Sequence, residues 1–159
     1  MISNLISVPM AYNTTNYFNA PYIGGTNSRV FMSMWGIVAS LGANVNIYSI
    51  WQIQEAPTAT MKLGLYSLAN ATTGVAKVNP AWAAGNVGTN FDTVSLSAEG
   101  TSTITWSTGN DEDILETKIT LDAATAPTAG QLLFMQIAFE TASWTLAQNS
   151  YWSCVLIDE

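Results

Sequence analysis

Residues 132–139 read Leu-Leu-Phe-Met-Gln-Ile-Ala-Phe. Side chains alternate across an extended chain, so Leu133, Met135, Ile137 and Phe139 share one face and are all apolar. The opposite face, Leu132, Phe134, Gln136 and Ala138, carries a single polar group. Residues 151–157 behave alike, with Trp152, Cys154 and Leu156 on one side and Tyr151, Ser153, Val155 and Ile157 on the other. Neither stretch is long enough to cross a bilayer as a helix, and both are rich in aromatic and β-branched residues. They are expected as central strands of an antiparallel β-sandwich, which the rest of the chain must cover on both sides.

The remaining composition narrows function by exclusion. A chain of 159 residues forms one domain and buries about 70% of its unfolded surface, enough for a core without staples. It contains no histidine, which removes the commonest general base, the commonest zinc ligand and every Ser-His or Cys-His pair. Its one cysteine, Cys154, allows no internal disulfide and is expected as a small buried apolar residue. No enzymatic activity and no cofactor are expected. Charged residues make up only 9% of the chain, so Ser, Thr and Asn, 46 residues together, wet most of the surface. A net charge of −7, with basic residues only at Arg29, Lys62, Lys77 and Lys118, argues against nucleic acid and against an anionic membrane as partners. The first residues carry no basic leader or long apolar run, so neither a signal peptide nor an anchor is expected. The glycosylation-type patterns at Asn13 and Asn70 read as chance in a chain so rich in Asn and Thr.

Charge is also unevenly spread. Before Glu55 the only charged residue is Arg29, in a stretch rich in Tyr, Phe, Met and Trp. Part of it is expected in the core and part against another subunit. The chain divides into residues 1–25, a short edge strand followed by an extended irregular arm, and residues 26–159, the sandwich. Tyr12, Tyr17, Phe18 and Tyr22 in the arm are the interface candidates. Strands are expected at 29–38, 45–53, 61–68, 91–96, 101–106 and 116–121, besides the two apolar stretches. Residues 75–78 are read as a short edge strand, because Pro80 cannot donate to a central ladder, and 82–90 as a loop. Eight or nine strands with no long amphipathic helix point to a jelly roll.

Candidate sites are few. Asp111, Asp113 and Glu116 form the one cluster of hard oxygen ligands, too few for calcium and lacking an EF-hand order; a solvated turn is the preferred reading, so no metal is expected. Glycoside hydrolysis requires two acids across a groove, and nothing argues for such a pair here: the acids at 111–113 are sequence neighbours, and Glu55, Asp92 and Glu140 are isolated. Of the six tryptophans, Trp82, Trp106 and Trp144 lie nearest to loops, and Trp82 and Trp144 are the candidates for a glycan platform.

From about Arg29 onward the chain resembles small jelly-roll virion proteins of tailed bacteriophages and related viruses. The matching features are the strand and turn at 31–41, the strands at 45–51 and 61–66 with an internal Gly64, and the entry Ser107-Thr108-Gly109-Asn110-Asp111 to a Thr-rich strand. The closing order is Ala129-Gly130, the strand from Leu132, a polar loop and a terminal strand. The family's basic and acidic residues around that loop are missing here, where the chain reads Phe139-Glu140-Thr141 and Trp144-Thr145-Leu146. The resemblance implies a capsid cement or decoration subunit, located on the virion, self-associating as a homotrimer and docking on a major capsid protein. It brings no catalytic residue. The alternative is a glycan- or receptor-binding β-sandwich module of a phage tail or fibre.

Overall fold

The two apolar stretches become the middle strands of two different sheets. A computed structural model describes residues 10–11, 17–18, 22–24, 29–31, 35–37, 44–69, 71, 73–107, 113–142, 144–148 and 150–159, with side chains described from Asn44 onward. In chain order the strands are β1 (Met10–Ala11), β2 (Tyr17–Phe18), β3 (Tyr22–Gly24), β4 (Arg29–Phe31), β5 (Trp35–Ile37), β6 (Val45–Gln52), β7 (Met61–Ala69), β8 (Gly74–Gly85), β9 (Ser97–Ala98), β10 (Ser102–Trp106), β11 (Leu115–Thr120), β12 (Leu132–Glu140) and β13 (Ser150–Asp158). The first sheet runs β1-β6-β12-β8-β10, with β9 also on β8; the second runs β11-β7-β13-β5-β2; β3 and β4 form a separate hairpin. The chain is an all-β, antiparallel sandwich with jelly-roll architecture.

The alternation read from the sequence decides what lies between the sheets. Leu133, Met135, Ile137 and Phe139 are all buried, opposite Val45, Ile47 and Trp51 of β6 and Val78 and Trp82 of β8. From the second sheet, Leu63 and Leu65 of β7 and Trp152 and Leu156 of β13 complete the same core. Aromatic edges meet faces within it: Trp152 lies 5.0 Å from Phe139 and 6.0 Å from Trp106, both T-shaped.

Four expected elements fall differently. Residues 29–38 do not make one strand: 29–31 pair in the β3–β4 hairpin, whereas 35–37 join the second sheet. The arm is not wholly irregular, since Tyr17–Phe18 pairs with β5 and Tyr22–Gly24 with β4. Residues 91–96 begin with a 3-10 turn at Phe91–Thr93 instead of a strand. The largest difference is β8. It runs twelve residues through Pro80 and absorbs the start of the expected loop at 82–90.

Register explains how Pro80 is tolerated. Val78 pairs with Ser102 and Trp82 with Ser97, so four steps along β8 face five on its partner. One residue is therefore extra, and Gly100 takes φ +92° within the resulting bulge. The Pro80 carbonyl accepts from Glu99 N at 2.9 Å, so the donor that Pro80 lacks would also face this interrupted edge and not β12. The bulge has a second effect. Glu99 turns inward, where its carboxylate accepts from Trp82 Nε1 and from Ala123 N, whereas Thr101 turns outward.

Candidate functional site

Pairing in register lays the outward side chains of the first sheet in rows. Tyr48, Gln136 and Ala81 stand abreast, then Asn46, Ala138 and Asn79, then Glu140 beside Lys77 and Thr103. On the other side of the Gln136 row come Ile50, Phe134 and Ala83. Rows repeat every second residue, so Phe134 to Glu140 spans about 20 Å along β12. The strip has short side chains at Ala81, Ala83 and Ala138 and longer ones at its margins.

An aromatic corner closes one end. After β8 the chain makes a tight turn, with Thr89 N donating to Asn86 O at 3.0 Å and Asn86 N to Thr89 Oγ1 at 3.1 Å. Asn90 then caps the 3-10 turn, its Oδ1 accepting from Asp92 N at 3.0 Å, and this fixes Phe91 over the sheet. The Phe91 ring lies 5.3 Å from Phe134 and 5.5 Å, edge to face, from Tyr48. Phe134 is fully covered; Phe91 and Tyr48 stay half-buried. Gly85 makes room for this stack, since a Cβ there would come within 2.7 Å of Phe134 Cε2.

The far end is polar. Glu140 accepts from Asn79 Nδ2 at 3.2 Å, and the Thr101 hydroxyl reaches both of its oxygens at 3.2 Å. Asn79 Oδ1 is buried without a hydrogen-bond partner. Asn44 Oδ1 closes this end by accepting from Thr141 N and Oγ1, at 2.9 and 3.1 Å. The second sheet's outer face is charged instead. Glu159 takes Lys118 at 2.6 Å and Lys62 at 3.2 Å, which holds its carboxyl below the usual range, Lys118 contributing more than Lys62. On the same face Tyr66 donates to Glu116 at 2.9 Å, and that bond pushes the phenol up.

Among the described residues, the expected site residues go to separate places. Trp82 is fully buried between the sheets, with its indole N–H on Glu99, and offers no ring to a ligand. Trp144 packs against the core, 6.2 Å from Phe139, with its Nε1 buried and unpartnered. For Trp82 this is a correction, since a large aromatic near a loop gains more from the core than from water, whereas Trp144 stays half-buried. Trp106 is buried as well. Asp113 is exposed and Glu116 is engaged by Tyr66, while Asp111 lies outside the described residues. No three His, Cys, Asp or Glu gather as a metal site among the described residues. Of the interface candidates, Tyr12 lies outside the described residues; Tyr17, Phe18 and Tyr22 sit in β2 and β3, and their side chains are outside the description. The residues that do converge, Tyr48, Phe91 and Gln136, were legible only in part. Strand parity turns Tyr48 and Gln136 outward, but nothing local to Phe91 announces a ring folded back over the sheet.

No protein-family model and no curated protein matches the chain. Among solved structures, the chain is similar to the CBM22-2 xylan-binding domain from Paenibacillus barcinonensis Xyn10C, with a TM-score of 0.51 at 14% identity over 95% of this chain and 91% of that one. It is similar to a CBM4 structure with a TM-score of 0.45 at 14% identity, over 97% and 80% of the two chains. It is also similar to the N-terminal cellulose-binding domain of Cellulomonas fimi β-1,4-glucanase C, with a TM-score of 0.44 at 12% identity, over 92% and 91%. At such identities the likeness is one of fold.

Proposed function

We propose that the chain is a glycan-binding β-sandwich module that lays a saccharide along β12 on the outer face of the first sheet. The observation that carries the reading is the half-buried Phe91–Tyr48 pair standing beside Gln136 and a strip of alanines. A sugar ring has an apolar C–H face and a rim of hydroxyls. An aromatic ring takes the first, and a side-chain amide, donor and acceptor at once, takes the second. The fold likeness to a xylan-binding domain supports the reading at the level of architecture. The proposal is of binding alone.

Affinity electrophoresis through gels containing xylan, mixed-linkage glucan or hydroxyethyl cellulose tests it. Retardation is expected on at least one polymer. Phe91→Ala and Gln136→Ala should each weaken binding about tenfold, roughly 1.4 kcal/mol, at an unchanged fold. Failure of the native chain to bind any polysaccharide on a broad glycan array overturns the proposal, as does full binding by both variants. Capsid decoration by a homotrimer is a second proposal, favoured by the near-absence of charge before Glu55. Analytical ultracentrifugation tests that one, and a monomer at high concentration overturns it.

A further inference from the structure

Resting on the glycan-binding reading, we infer that this face selects neutral glycans over anionic ones, and that Glu140 sets the selection by offsetting Lys77. The argument starts from how few cations the chain has and where each one goes. Lys62 and Lys118 are both tied to Glu159 on the other sheet's outer face. Arg29 belongs to β4, which pairs with β3 and with neither sheet. Lys77 alone stands among the outward residues of the first sheet. Its direct cross-strand neighbour is Glu140, and side chains so placed have Cβ atoms about 5 Å apart.

Glu140 is held in place from the same side as Lys77, by a residue of β8 itself and one just before β10, the strand beyond it. Asn79 and Thr101 both donate to its carboxylate, so it does not swing freely away from the strip. Asp92 adds a second acid, immediately after Phe91 at the aromatic end. A polymer bearing uronate groups along its length therefore meets a carboxylate at either end of the strip and, among the described side chains, no cation but Lys77, which stands beside Glu140. The chain's net charge of −7 opposes its approach from further away. A neutral polymer meets none of this opposition, and its hydroxyls donate to Glu140 as readily as to an amide.

The test uses pairs of polymers that differ only in charge: glucuronoxylan and polygalacturonate, each beside the same material with its uronate carboxyls reduced to alcohols. In low salt the native chain is expected to bind a reduced polymer about tenfold or more tightly than its anionic parent, and the gap should narrow at high salt. Glu140→Gln keeps the shape and the acceptor oxygen while removing the charge. It should close the gap by roughly two- to fivefold, through gained affinity for the anionic member. Lys77→Gln added to Glu140→Gln should take that gain away. Equal binding of charged and reduced polymers by the native chain overturns the selection but leaves glycan binding standing. An unchanged ratio in Glu140→Gln removes Glu140 from it. No binding to any of the four polymers overturns the selection, and glycan binding falls with it only if the native chain also binds no polysaccharide on the broad array.

Discussion

Trp82 contributes more to stability than any residue on the candidate face. It is fully buried, and its indole N–H finds Glu99 inside the sandwich. Trp82→Ala should cost about 3–5 kcal/mol in chemical denaturation, from lost packing and the cavity left behind. Binding by the fraction that stays folded should be unchanged. Ser67 is the reverse case, a fully buried side chain on the inner face of β7 whose hydroxyl has no partner. Ser67→Ala should raise stability by about 1 kcal/mol, since the hydroxyl's desolvation is uncompensated. Burial pushes the Cys154 thiol up to about 12. The folded chain should therefore react with thiol reagents near pH 8 more slowly than the unfolded chain. Linkage has a definite sign here: the fold favours the protonated thiol, so this contribution is complete below the ordinary thiol value. It is lost as pH rises towards 12, because the unfolded chain ionises first.

At the scale of elements, the bulge opposite Pro80 governs the edge of the first sheet. Deleting Gly100 would restore even register, four steps against four, and leave Glu99 facing inward and Thr101 outward. Such a variant should keep the Trp82–Glu99 and Thr101–Glu140 hydrogen bonds, and its tryptophan fluorescence should match that of the native chain. Pro80→Ala should cost no more than about 1 kcal/mol, because the regained N–H faces the interrupted edge. Gly74→Ala should cost more, about 1–3 kcal/mol: its φ of +140° suits glycine, and a Cβ would come within 2.9 Å of Leu146 Cα. These features mark the limit of sequence reading. The two middle strands were plain because each carries an unbroken apolar face, Leu133 to Phe139 in one and Trp152, Cys154 and Leu156 in the other, a pattern that a strand facing a core satisfies. Pro80 misled, because a proline says that a donor is missing and not which neighbour would have received it. Phe91 stayed hidden because its partners, Tyr48 and Phe134, come from strands 43 positions away on either side.

Taken whole, the sandwich is fastened at one end by its last two residues. Asp158 accepts from Thr58 N at 3.0 Å, Ala59 N at 2.9 Å and Thr58 Oγ1 at 3.1 Å, and the backbone donors hold its carboxyl below the usual range. Glu159, likewise lowered, joins β7 to β11 through Lys62 and Lys118. Both acids are more acidic in the fold than in the open chain, so their contribution is complete above the ordinary carboxylate range. It drains away as pH falls through the folded values. The native chain should therefore be more stable than Asp158→Asn at neutrality, and the difference, read by chemical denaturation followed by circular dichroism, should shrink as pH falls through the carboxylate range. The position of β12 and β13 in the chain has one more consequence. Each occupies the middle of its sheet, yet both are translated after all the other strands described. A nascent chain halted before Ser150 would hold β7 and β5 with nothing between them, so the second layer cannot close until the ribosome has released this region. Up to that moment the exposed edges of half-built layers are the stage at which chaperones, or aggregation, would claim the polypeptide.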